Sequence, residues 1–226
     1  MLAWPARAAE PVRVFAAASL KPPLDVIAAG WDGPVTLAYA GSGTVARQVA
    51  AGAPAEVVIL AAADWMDWLA LQTSLGAARI VARNALVLAG RAGSATLDLA
   101  SDAIIDRLDG GRLAMGDPVS VPAGRYGQQA LRALGLWSAL ERRLLLAENV
   151  QAALAYVARG DVPLGLVYRS DATAPGVAAV ARVPEETHDP IVYPGAARRG
   201  AAPEASAFLD HVATSGDVFA AHGFSV

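Results

Sequence analysis

Short apolar runs alternate with amphipathic stretches from Val12 almost to the end of the chain, and this alternation confines the fold to α/β structure with a largely parallel sheet. Residues 12–16 (VRVFA) predict a strand and 20–30 a helix, in which Pro22 and Pro23 are tolerable only within the first turn. A strand at 35–39, a helix at 44–51 stopped by Gly52, a strand at 56–61 and a helix at 64–71 follow, the last with Trp65 and Trp68 on one face. Beyond them come a polar loop and helix, a strand at 112–115, helices at 123–134 and 150–159, and a strand at 164–168. After Pro203 an amphipathic helix at 204–213 and a short terminal helix close the chain.

Two stretches, NALVLA at 84–89 and residues 191–193, read as strands crossing between two α/β lobes. They divide the chain into lobe I, residues 10–83 and 194–226, and lobe II, residues 84–193. Ligands in such folds bind beyond strand ends, where loops lead into helices. Four turns occupy such places: Ser19 in FAAASLKPPL, Ser42 in YAGSGTVARQ, Ala123 in GDPVSVPAGRYGQQAL and Val150 in ENVQAALAYVARG. Arg and Lys cluster at none of them. A helix start presents unsatisfied N–H groups and the positive end of a macrodipole, so several converging on one point hold an anion without a salt bridge.

Ser19 and Ser42 add hydroxyls, and Gly41 and Gly43 let the backbone around Ser42 approach a ligand closely. A plain N-cap remains the alternative for Ser19, and a simple glycine turn for Ser42. Ala123 and Val150 offer only amides, and Tyr168, closing the run LGLVY, reads equally as a core aromatic.

Composition narrows the function further. The 226 residues carry a net charge of −3, which points to no nucleic-acid or anionic-membrane partner. With 0 cysteines, disulfides, thiolate metal sites and a Cys nucleophile are excluded. No run approaches the roughly 18 apolar residues of a membrane span, so the chain is expected to be soluble. At the start, Ala6-Arg7-Ala8 resembles the small-x-small end of an export signal, and residues 1–11 read as a removed or truncated remnant of one, an ordinary chain terminus being the alternative.

VFAAASL, YAGSGTVARQVAAGAPAEVVI, GRLAMGDPVSVPAGRYGQQAL and the NV…VARGDVPLGLVYRSDA stretch together resemble the periplasmic molybdate-binding proteins of bacterial ABC importers, in the same order and over nearly the whole chain. The resemblance implies a type II periplasmic-binding-protein-like fold and a periplasmic monomer that hands molybdate or tungstate to a membrane permease. No cofactor is implied, and molybdenum enters only within its oxyanion, without a direct protein ligand. It further implies hydroxyl and amide contacts from Ser19 and Ser42, amides from Ala123 and Val150, and a hydroxyl from Tyr168.

All of these contacts are donors. A fully ionised tetrahedral dianion offers only acceptors, whereas hydrogen phosphate keeps a proton and asks for an acceptor. The set therefore suits molybdate, tungstate or sulfate. Two departures from the family pattern stand out: ILAA at 59–62 lacks the usual polar pair, which puts support from that loop in doubt, and the region around 188–190 is shorter than usual.

Rival readings are a sulfate or other oxyanion receptor, the effector domain of a transcription regulator, and an enzyme. The second lacks a DNA-binding segment or basic patch. Against the third, His188, His211 and His222 have no paired metal-ligand spacing, AGSGT is not a nucleophile elbow, and turns or caps account for Asp117 and Asp171. Lys21, the only lysine, reads as a surface side chain in a first turn.

Overall fold

The computed structural model describes residues 10–225, so the Ala6-Arg7-Ala8 tripeptide lies outside the described residues. In chain order the first lobe is built from β1 (Val12–Ala17), α1 (Lys21–Ala29), β2 (Val35–Ala40), α2 (Ser42–Ala50), β3 (Val57–Ile59), α3 (Ala63–Gln72) and β4 (Arg79–Asn84). The second contains β5 (Leu86–Arg91), α4 (Ser101–Leu108), β6 (Leu113–Gly116), α5 (Pro122–Ala133), α6 (Trp137–Leu140), β7 (Leu144–Ala147), α7 (Val150–Arg159), β8 (Leu164–Tyr168) and β9 (Val177–Arg182). The chain then returns through β10 (Ile191–Ala197), α8 (Pro203–Thr214) and α9 (Gly216–Ala221).

Each lobe is one five-stranded sheet, ordered β2-β1-β3-β10-β4 and β7-β6-β8-β5-β9. In the first, β1 runs parallel to β2 and β3, while β10 is antiparallel to β3 and β4. In the second, β6 is parallel to β7 and β8, and β5 is antiparallel to β8 and β9. The chain passes between sheets at Ala85 and again through residues 183–190. Ile191–Tyr193, expected as the second crossing, instead pair with Asn84, Arg83 and Ala82 inside the first sheet.

Three strands escaped the sequence reading: β4, β7 and β9. All three are sheet edges. An edge strand has one unpaired side and is only partly buried, so its sequence need not carry the pattern of a central strand such as LGLVY. β4 (RIVARN) carries two arginines, β7 is half exposed, and β9 (VAAVAR) is mostly alanine. The apolar core is continuous with the aromatic groups Tyr126, Tyr168, Tyr193, Phe208 and Phe219, all 2% exposed or less. No helix among the described residues is long and apolar enough to cross a membrane.

The lobes meet face to face. A Cβ added at Gly41, on the first lobe, would lie 2.9 Å from the carbonyl oxygen of Glu148 on the second. One at Gly43 would lie 2.7 Å from the Ser120 carbonyl oxygen. Arg125 of α5 forms a two-pronged ion pair with Asp64 of α3, its Nη2 2.8 Å from Asp64 Oδ1, which straps the lobes together at the rim.

Candidate functional site

Four loops that follow parallel strands converge between the lobes. After β1 the chain makes a 3-10 turn, Ala18–Leu20, before α1, so Ser19 sits inside that turn and not at the start of the expected helix at 20–30. Its hydroxyl caps no helix; it lies 3.1 Å from Tyr193 Oη. After β2, Gly41 is the N-cap of α2 and Ser42 its first residue, two positions earlier than the pattern predicted. Gly41 contributes no side-chain cap, so the first amides of α2 have no partner of their own there.

Ser42 Oγ accepts the backbone N–H of Ala61 at 2.9 Å. The ILAA loop, whose support was in doubt for want of polar side chains, therefore holds the site through its backbone. In the second lobe, Asn149 caps α7 by accepting the Ala152 amide at 2.9 Å. The amides of Val150 and Gln151 stand in the same first turn, where a helix cannot satisfy its own donors. Pro122 opens α5, and Ala123 follows it, 0% exposed.

A small space lies where these turns meet. Ser19, Ser42, Val150 and Tyr168 wall it, with Gly41, Ala61 and Asn149 beside them. The third turn reaches this wall through Val121 and Pro122, and Ala123 is not among the wall residues. Arg and Lys are absent from the wall.

Tyr168, at the end of β8, is 1% exposed, and its hydroxyl has no hydrogen-bond partner among the described residues. A buried phenol normally finds one. Burial, joined by the nearby Tyr193, Tyr126 and Asp171, holds its pKa well above the usual range for tyrosine, so the oxygen keeps its proton and is available as a donor.

A neighbouring cavity of about 250 Å³ shares Ser19 and is lined by Gln151, Asp171 and His222. It suits an anion poorly. Asp171 presents a carboxylate, whose oxygens accept the Tyr168 amide at 3.0 Å and Gln151 Nε2 at 2.6 Å. Burial pushes its pKa up to about 7. The other loop carboxylate, Asp117, accepts the Val119 amide at 3.0 Å and the Ser120 hydroxyl, as expected of a turn residue. Lys21 is on the surface, paired with Asp25 at 2.8 Å.

Sequence reasoning missed Asn84 and Tyr193, which support Ser19 from behind, and the capping role of Asn149. An Asn immediately before a helix was a readable signal for the last. For Tyr193, expected only as part of a crossing strand, one sequence carries no signal: its role depends on β10 lying beside β3.

Two lobes closing on a small cavity whose side chains offer donors define a receptor for a solute, of the kind that captures its ligand between domains. Residues 12–225 match the bacterial extracellular solute-binding protein family, and the chain belongs to it. It is 39% identical over 230 residues to the molybdate-binding protein ModA of Escherichia coli (strain K12), covering 95% of this chain and 89% of that protein. The periplasmic molybdate-binding protein of Azotobacter vinelandii shares the fold with a TM-score of 0.79 at 24% identity, over 95% of this chain and 99% of that one. The sulfate-binding protein SubI of Mycobacterium tuberculosis H37Rv does so with a TM-score of 0.77 at 17% identity, over 96% and 86% of the two chains. At those identities the two structures speak for the fold alone. The resemblance read from the four sequence motifs thus holds over nearly the whole chain.

Proposed function

We propose that this chain is an extracytoplasmic receptor that captures molybdate between its lobes and delivers it to the permease of an ABC importer. The observation that carries the reading is the Tyr168 hydroxyl, buried and unpartnered on the wall of a space where Ser19, Ser42 and helix-start amides converge. A donor left without an acceptor in such a place fits a ligand made of acceptors. Ser42 Oγ already accepts a hydrogen bond from the Ala61 N–H and keeps its own proton to donate. Amides of the Ala123 and Val150 turns complete the set in this reading.

Tungstate, close to molybdate in size and identical in charge, is proposed to compete almost evenly. The receptor acts as a monomer in the periplasm and carries out no chemistry on its ligand. Lobe I (10–83 and 194–226) and lobe II (84–193) move about the two passages between the sheets, and the close approach at Gly41 and Gly43 is their closed arrangement.

Calorimetric titration with molybdate, tungstate, sulfate and phosphate tests the reading. Rigid amides cannot shrink their cage, so sulfate leaves some donors stretched beyond about 3.2 Å and binds roughly tenfold or more weaker than molybdate. Phosphate is expected to be weakest, because its proton meets a donor. Sulfate binding at least as tightly as molybdate would overturn the molybdate assignment and leave the oxyanion receptor standing.

A further inference from the structure

Behind Ser19 runs a line of buried polar groups that do not wall the cavity. Asn84, at the end of β4 where the chain leaves the first lobe, is 8% exposed, and Tyr193 in β10 is 0% exposed. Asn84 Oδ1 accepts the amides of Ala85 at 2.9 Å and Ser170 at 3.4 Å. A backbone N–H can only donate, so these two bonds decide which end of the carboxamide is oxygen. Nδ2 consequently faces Ser170 Oγ at 2.8 Å and Tyr193 Oη at 3.2 Å, as donor to both.

Tyr193 Oη therefore accepts a hydrogen bond from Asn84 and has its own proton to donate. The acceptor within reach is Ser19 Oγ, at 3.1 Å. Burial pushes the Tyr193 pKa up, so that proton is retained. Once Ser19 accepts from Tyr193, its hydroxyl proton is free to point into the cavity it walls.

We propose that Asn84 and Tyr193 are positioning residues that set the direction of a hydrogen-bond relay, from Asn84 through Tyr193 to Ser19, so that Ser19 presents a proton and not a lone pair, and the site selects fully ionised oxyanions over protonated ones. The proposal rests on the oxyanion reading above and deepens it. Each donor in the relay polarises the next, which strengthens the last bond. A ligand that points a proton at Ser19 meets the Ser19 proton there and leaves its own poorly paired, at a cost in affinity.

The direction of the relay can be reversed by one atom. Asn84→Asp keeps the side chain's shape and its acceptance of the Ala85 and Ser170 amides, but turns the donor end into an acceptor. Tyr193 then donates its hydrogen bond to the new carboxylate, accepts one from Ser19, and leaves only Ser19 lone pairs facing the cavity. Tyr193→Phe removes the relay. Calorimetry at pH 7 with molybdate and with inorganic phosphate, on the wild type, both single variants and the double variant, separates relay from charge. The ratio of molybdate to phosphate affinity is expected to fall roughly tenfold or more in Asn84→Asp, and in the same direction but less in Tyr193→Phe. In the Tyr193→Phe background, where no hydroxyl remains to be reversed, adding Asn84→Asp is expected to move the ratio far less.

An equal fall of the ratio in both backgrounds would show a charge effect alone and overturn the relay, as would an unchanged ratio in Asn84→Asp. Should circular dichroism show Asn84→Asp unfolded, an unchanged ratio in Tyr193→Phe overturns it instead. A wild type that does not bind molybdate would overturn the site reading beneath it, a different and recognisable result.

Discussion

Ser42 Oγ and the backbone N–H of Ala61 are joined at 2.9 Å, with the serine oxygen as acceptor, and both residues are buried. The bond links the first turn of α2 to the loop after β3, and it leaves the hydroxyl proton uncommitted. Ser42→Ala thus removes two things at once. Loss of a donor to a charged ligand is expected to weaken molybdate binding by roughly 1.5–3 kcal/mol, and the stranded Ala61 amide to lower stability by about 1–3 kcal/mol. Titration reads the first and denaturant unfolding the second. Unchanged affinity would remove Ser42 from the site, and unchanged stability would show that water replaces the lost oxygen.

Tyr168→Phe separates the same two quantities with opposite signs. The hydroxyl has no partner to lose among the described residues, so deleting it takes away an unsatisfied buried group. Stability of the free protein is expected to stay the same or rise, while molybdate affinity falls by roughly 1.5–3 kcal/mol. A melting temperature that drops in step with affinity would show that the hydroxyl serves the fold.

Gly41 bears on closure. A Cβ there lies 2.9 Å from the Glu148 carbonyl oxygen, backbone against backbone across the cleft, where no flexible side chain can give way. Gly41→Ala is expected to disfavour the closed arrangement by about 1–3 kcal/mol, the usual cost of overpacking. Within its own lobe the cost is small, since residue 41 is an N-cap with β-region dihedrals open to any residue. Small-angle scattering should show the wild type contracting on adding molybdate, and the variant contracting less at equal ligand. Identical contraction in both would place closure elsewhere.

The central strands and the helices that follow them were legible in the sequence because burial on both faces makes them apolar runs, as in LGLVY. β4, β7 and β9 were not: each is partly exposed, and the two arginines of RIVARN, the brevity of LLLA and the alanines of VAAVAR leave no alternation that sets a strand apart. The site was legible in a similar, partial way. Ser42 between glycines announces a tight turn, whereas Ala123 and Val150 carry no side-chain signal and were expected only through the family pattern. The backbone support of Ser42 by Ala61 and the Asn84–Tyr193–Ser19 line depend on which strands lie side by side, a fact of sheet order that no local pattern contains.

Asp171 gives the site a pH dependence whose sign follows from its burial. The carboxyl is 4% exposed, and burial pushes its pKa up to about 7, against the opposing pull of the Tyr168 amide and Gln151. In the unfolded chain an aspartate titrates near about 3.9. Between those values the folded state holds a proton that the unfolded state has lost. The stability Asp171 contributes is therefore fully present below about pH 4 and is lost as pH rises through about 7. Subtracting the melting temperatures of Asp171→Asn, measured across pH 5 to 8, from those of the wild type should give a difference that declines over that range.

The same group couples to the ligand, because Asp171 lies close enough to the Tyr168 and Tyr193 hydroxyls to raise their pKa values. A bound dianion at the Tyr168 hydroxyl adds negative charge near the carboxyl and raises its pKa further. Molybdate binding near pH 7 is then expected to take up protons, and its affinity to fall as pH rises from 6 to 8. Titration in buffers of different ionisation enthalpy measures the proton count directly, and binding without proton uptake would show that Asp171 is already neutral or too remote to feel the ligand.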